Sequence, residues 1–203
     1  MKKLIITLAC LVIMGGIMAQ EHLTFKGVPI NGTLKQYTAA MVKAGFKSEG
    51  TQDGLSLLSG EFAGFKDCIV GVSTLKNCDV VNRIVVLFPA KDTWASLMGD
   101  YEHLKSLLTT KYGEPETERE YFTGYASKTD SDGIKMSALH NEELEWYTVF
   151  VTDLGSIELS VTSASYGKGM VRLGYFDKKN TETVTQSALD DLYLICPESS
   201  YYT

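Results

Sequence analysis

The chain has 203 residues, a formal net charge of −6 at pH 7, 44% hydrophobic residues and 22% charged ones. That composition suits one packed domain of ordinary size or two small halves sharing a core, and no Pro/Ser-rich linker divides it. An acidic chain without a Lys/Arg cluster lacks the footprint that neutralises phosphates, so nucleic acid is excluded as an expected partner.

Lys2 and Lys3 precede an apolar run from Leu4 to Met14, and Gly15, Gly16 and Ala19 follow. This layout predicts a signal peptide over residues 1–19, cut after Ala19 or one residue later. Cys10 has too few apolar residues ahead of it for a lipoprotein site and is counted with the leader. No later run approaches the ~18 apolar residues of a membrane span, so we expect no transmembrane segment and a soluble chain in the periplasm or outside a bacterial cell. Losing two lysines and no acids takes the formal charge from −6 to −8.

Residues 20–203 read as a single α+β domain. Leu23-Thr24-Phe25 alternates as a short strand that Gly27-Val28-Pro29 interrupts, and Asn31-Gly32-Thr33 turns the chain into a helix. Thr33 is its expected cap, with Leu34, Tyr37, Met41 and Val42 on one face and Gly45 at the stop. Leu55–Leu58, Glu61–Val72 and Val80–Phe88 then read as strands, the last apolar on both faces, as a central strand buried on both sides should be. A second helix begins at Asp92: Trp94, Leu97, Met98, Tyr101, Leu104, Leu107, Leu108 and Tyr112 form its stripe, and Gly113 and Pro115 stop it.

Glu120–Tyr125, Ile134–His140, Trp146–Thr152, Ser156–Ser163 and Met170–Phe176 follow as an expected meander, and Thr181–Ile195 as a last helix weakened by its threonines. Helix-then-strands occurs twice, dividing the domain into pseudo-repeats of about 23–90 and 91–178. The expected architecture is antiparallel sheet with helices on one face, in tandem α-β-β-β halves.

The strings FKGVPINGTL, LSGEFAGFKDCIVGV and WASLMGDYEHLKSLLTTKYGEP resemble secreted proteins of Gram-negative anaerobes that often open with F-x-G-x-P-I-x-G. The likeness covers most of the chain behind the leader and implies no catalytic assignment. More distantly, the inferred topology is similar to the β-lactamase inhibitor proteins and to small outer-membrane assembly lipoproteins. That similarity implies action by binding proteins.

Catalytic motifs are sparse. Nucleophilic catalysis needs a histidine base; His22 falls at the expected mature terminus, His103 one position off the apolar stripe and His140 at a turn. Asp130-Ser131-Asp132-Gly133 starts like a calcium loop, but glycine stands at position four instead of six and Asn141 occupies the twelfth, so a polar hairpin turn is expected. Glu142, Glu143 and Glu145 read as a solvated strand entrance, and neither a dinucleotide nor a phosphate loop is present. No metal or cofactor is expected.

Cys68, Cys78 and Cys196 leave an odd count behind the leader. With Cys68 about six residues before the Lys76–Asp79 turn and Cys78 inside it, that pair is too far apart to bridge.

The remaining signal is aromatic: Tyr125, Trp146, Tyr147 and Tyr175 lie in the second set of strands, and half of each alternating pair must leave the helix-covered core. The reading is an exported, non-enzymatic binding protein using the outer sheet face at those four residues, with a protein or envelope component as partner. An envelope assembly role and a hydrolase site assembled only in three dimensions are the alternatives.

Overall fold

The computed structural model describes residues 21–75, 78–165, 167–183 and 185–186. The expected leader, Cys196 and most of the last expected helix lie outside them. Helix does continue over 178–183.

The interrupted opening strand is a two-residue hairpin. β1 (Thr24–Phe25) and β2 (Val28–Pro29) pair antiparallel around Lys26 and Gly27, whose φ angles of 51° and 77° are the paired positive values of a type I′ turn. Ile30 N–H donates to the Leu23 carbonyl at 2.7 Å, and Leu23, Phe25 and Ile30 are buried.

α1 (Leu34–Lys43) starts where Thr33 predicts. Thr33 Oγ1 accepts from Gln36 N–H at 3.3 Å and Gln36 Oε1 accepts from Thr33 N–H at 3.1 Å, a reciprocal capping box. Leu34, Tyr37 and Met41 face the core, whereas Val42 is exposed.

β3 (Lys47–Gln52), β4 (Leu55–Phe62), β5 (Phe65–Leu75) and β6 (Cys78–Leu87) follow as a meander. β3 has no apolar residue and is exposed along its whole length, so hydrophobic periodicity could not announce it. A bulge between Ser48 and Gly50 and the Lys47–Glu49 pair blunt it as an edge strand.

α2 (Trp94–Tyr112) is capped by Thr93 and closed by Gly113. Trp94, Leu97, Tyr101, Leu104 and Leu108 are buried, and Leu107 of the expected stripe is exposed. β7 (Thr117–Phe122), α3 (Asp132–His140), β8 (Leu144–Thr152), β9 (Gly155–Ser165) and β10 (Lys168–Asp177) complete the described order.

The expected strand at Ile134–His140 is therefore a helix. Its Ile134, Met136 and Ala138 alternate as a strand would, but Met136 and Leu139, three apart, provide the buried seam. Both reach Gly169 on β10, where an added Cβ would stand 2.6 Å from a Leu139 methyl and 2.7 Å from a Leu97 methyl. Gly169 lets two helices approach the sheet at one point.

Strand order across the sheet is β3-β4-β5-β6-β10-β9-β8-β7, antiparallel throughout. Each half carries four sheet strands, one more than the expected α-β-β-β unit, and in the second half the five segments read as strands become four because Ile134–His140 is helical. Their last strands, β6 and β10, pair in the centre, and α3 is inserted in the second half only. The fold is α+β.

One sheet face is the core. Leu58, Val70, Val86, Leu173, Leu159 and Thr148 form one buried row across six strands, with Val72, Ile84, Tyr175, Ile157 and Phe150 beside it. α1, α2 and α3 all pack on this face, and Tyr101 of α2 shares a 2.7 Å hydrogen bond with Thr148 beneath it.

Candidate functional site

Alternation along seven consecutive strands, β4 to β7 in sheet order, sends the complementary residues to the opposite face. Ser59, Ile69, Leu87, Arg172, Ser160, Tyr147 and Arg119 lie in register there, and Leu57, Gly71, Val85, Gly174, Glu158, Val149 and Thr117 form the adjoining row. Among the described residues no helix packs on these rows. Leu55 and Leu57 are 40% and 41% exposed, Ile69 38% and Val151 52%.

The face has two apolar regions divided by charge. Leu55, Leu57, Ile69, Val85 and Leu87 make the first, on β4, β5 and β6. Gly71 lies under Leu55 and Leu57, and Gly174 under the Phe176 ring, so flat backbone underlies the side chains. Val149, Val151, Tyr147 and Tyr121 make the second, on β7 and β8. Between them Arg172 donates to Glu158 Oε1 at 2.8 Å. Glu145 hydrogen-bonds Tyr121 and raises its phenol pKa. A hollow of about 580 Å³ opens where bulged β3 meets Leu55 and Leu57.

The four sequence-predicted residues do not meet on this surface. Tyr147 lies on the open face. Trp146 and Tyr175, expected there as well, are buried on the helix-covered face. Trp146 stacks edge-on with Trp94, ring centroids 4.9 Å apart at 86°, and lies 5.5 Å from Phe122. Tyr175 meets Phe25 of the opening hairpin edge-on at 5.4 Å, and burial raises its phenol pKa. Tyr125 is 67% exposed in the loop after β7, away from the sheet rows. The aliphatic residues of β4 and β5 that complete the open face were missed, although L-S-L-L and C-I-V-G-V carry the alternation that displays them.

The groups tested for chemistry are occupied structurally. His22 is not frayed: it is buried, and its Nδ1 lies 3.1 Å from a fully buried Asp177, which also accepts from Leu23 N–H and Asn180 N–H at 2.9 Å each. Asn180 in turn donates to the Ile30 and Val81 carbonyls, tying the end of β10 to the opening hairpin and β6. His103 is exposed on α2, its ring 6.1 Å from Phe65. His140 Nδ1, at the end of α3, shares a 3.3 Å hydrogen bond with Ser163 Oγ on β9.

Asp130 and Asp132 belong to a helix start, not the expected hairpin turn. Asp130 Oδ2 accepts from Ser127 N–H and Oγ, while Asp132 Oδ2 accepts from Ala95 N–H in the first turn of α2. Among the described residues no three His, Cys, Asp or Glu side chains form a metal-holding group. Cys68 and Cys78 are both free thiols at opposite ends of the β5–β6 hairpin. Burial raises the Cys68 thiol pKa.

Lys105 is held between Glu118 and Glu120 at 2.9 and 2.7 Å under β7. Burial alone would lower its pKa, but the two carboxylates reverse this and the net shift is upward. The charge is locked into the scaffold on the helix side.

Comparison with protein-family models, with curated proteins and with solved structures yields no match for the chain, so the assignment of function rests on the geometry above.

Proposed function

We propose that this chain is an exported, non-enzymatic interaction protein whose open sheet face binds a protein or another envelope component. One observation carries the reading. A one-layer antiparallel sheet displays exposed Leu55, Leu57, Ile69 and Val151, with Tyr121, Tyr147 and Arg172 among them, and no described element covers the face. Apolar anchors surrounded by tyrosine and arginine are the composition that buries well against a partner. Exposed aliphatic side chains grouped on one uncovered sheet face are the kind of surface that protein partners bury. The bulge and the Lys47–Glu49 pair disfavour strand addition at the β3 edge, which supports the face over that edge as the contact surface. The leader, net acidity and sequence resemblance support export and action by binding.

The test is a comparative pull-down from envelope extract. Wild type, the Leu57→Asp/Ile69→Asp double variant and a Glu102→Lys control on the solvent side of α2 are compared by quantitative mass spectrometry. The reading expects specific species retained by wild type and control and depleted at least about tenfold by the double variant. Identical profiles for all three would end it. Capture of an integral membrane complex in place of a soluble partner would make the role envelope assembly.

A further inference from the structure

A second site lies away from the open sheet face, at the junction of the loop after β7 with the C-terminal end of α3. A cleft of about 430 Å³ is lined by Tyr125, Asp92, Ser137, His140 and Asn141, with Gly133 and Gly167 leaving its walls low. That volume lies within the ~300–1,000 Å³ of small-molecule sites. Nothing in the proposed function uses it.

Tyr125 is the anomaly that directs attention here. It is 67% exposed, more than any other large hydrophobic side chain among the described residues. Its exposure does not come from a loose loop. Thr123 N–H and Gly124 N–H both donate to the Glu143 carbonyl, at 3.0 and 3.4 Å. On the other side Ala126 is buried and Ser127 is clamped to Asp130 by two side-chain bonds. The backbone is pinned before and after Tyr125, which displays its ring from a fixed anchor point.

Apart from the largely buried Met136, the rest of the lining is polar and neutral on balance. Ser137, His140 and Asn141 fall three and four residues apart, on one face of α3 and its cap. The imidazole is positioned by Ser163, 3.3 Å from Nδ1, and the Ser137 hydroxyl donates to the Gly133 carbonyl at 2.9 Å, leaving its oxygen lone pairs as acceptors. Asp92 is paired with Lys168 at 3.0 Å, so the cleft offers no net charge to select an ion. A carboxylate, an amide, an imidazole and a hydroxyl lining one cleft with an exposed aromatic ring match the needs of a polyhydroxylated ring. Its CH face stacks on the aromatic while its hydroxyls, each both donor and acceptor, bridge the planar polar groups.

We propose that this cleft binds a neutral saccharide, with Tyr125 as the stacking platform and Asn141 and Asp92 as hydroxyl partners. This goes beyond the sheet-face reading and neither requires nor excludes it.

Saturation-transfer NMR and calorimetry on the full chain, with maltose, cellobiose, lactose and N,N′-diacetylchitobiose each taken to about 10 mM, test the proposal. At least one probe is expected to bind saturably, with enhancement concentrated on the CH protons of one ring face. Tyr125→Ala should weaken that binding at least about tenfold and Tyr125→Phe by no more than about threefold, both with the thermal midpoint of wild type. Failure of all four probes to saturate would overturn the proposal, as would equal binding by wild type and Tyr125→Ala. Leu57→Asp/Ile69→Asp should leave saccharide binding intact, which separates the failure of this inference from failure of the sheet-face reading.

Discussion

Leu57 and Leu58 are neighbours on β4, chemically identical and assigned opposite environments. Leu58 is fully buried beneath α1 and pairs with Val70, whereas Leu57 is 41% exposed above Gly71. Truncating Leu58 to alanine removes buried methyl groups and leaves a cavity that a sheet packed under a helix closes poorly. The expected loss is about 2–5 kcal/mol. Leu57→Ala removes side-chain atoms that are still partly in water, next to a glycine with no side chain to lose contact with. Its cost should stay below about 1 kcal/mol. Urea denaturation followed by circular dichroism, at two protein concentrations, measures both. Losses of similar size at the two positions would refute the one-sided sheet and show a second layer over the outer face. A Leu57 cost that grows with protein concentration would identify that layer as another copy of the chain.

Three further outcomes follow from the buried polar groups. Asp177→Ala should cost about 3 kcal/mol or more, because it strands Leu23 N–H and Asn180 N–H and releases His22; limited proteolysis should then cut first within residues 21–33. Lys105→Met should cost about 1–2 kcal/mol at neutral pH, since both carboxylate partners are only part-buried or exposed. The raised Lys105 pKa makes that contribution complete below the unfolded value of about 10.4 and lost as pH climbs through the folded one, so the gap between the two proteins in urea melts should close in strong alkali and remain constant from pH 7 to 9. Cys68, with its pKa raised by burial and its sulfur 3.5 Å from the Phe65 carbonyl, should resist iodoacetamide at pH 8 while half-buried Cys78 is labelled, as peptide mass spectrometry will read; equal labelling would contradict its placement.

What the sequence revealed tracks where local pattern and tertiary packing agree. The α1 cap, the α2 stripe and the central place of the VVNRIVVLF strand were legible because each is specified by residues within a few positions of one another, but that strand is not buried on both sides as expected, since Val85 and Leu87 lie on the open face. β3 was not, since KSEGTQ has no apolar residue and owes its strand to pairing with β4. α3 was misread because Ile134, Met136 and Ala138 mimic alternation, whereas the Met136–Leu139 seam packs on Gly169, some thirty residues away.

The same limit governs the site. Trp146-Tyr147 announced that one ring faces outward, but which one depends on Trp94 and Phe122 arriving from other elements. Tyr175 turns inward onto Phe25 for the same kind of reason. The Leu55, Leu57 and Ile69 surface left no aromatic signature, and its exposure follows from strand order, which local periodicity does not encode. His22 looked terminal because its partner, Asp177, lies 155 residues away.

The most direct measurement of the sheet-face reading is site-specific photo-crosslinking in producing cells. A photoreactive residue at position 57 is compared with one at position 102, on the exposed side of α2. The account predicts a discrete protein adduct, abolished by Ile69→Asp, from position 57 and none from position 102. Absence of an adduct at 57, or the same adducts from both positions, would contradict it.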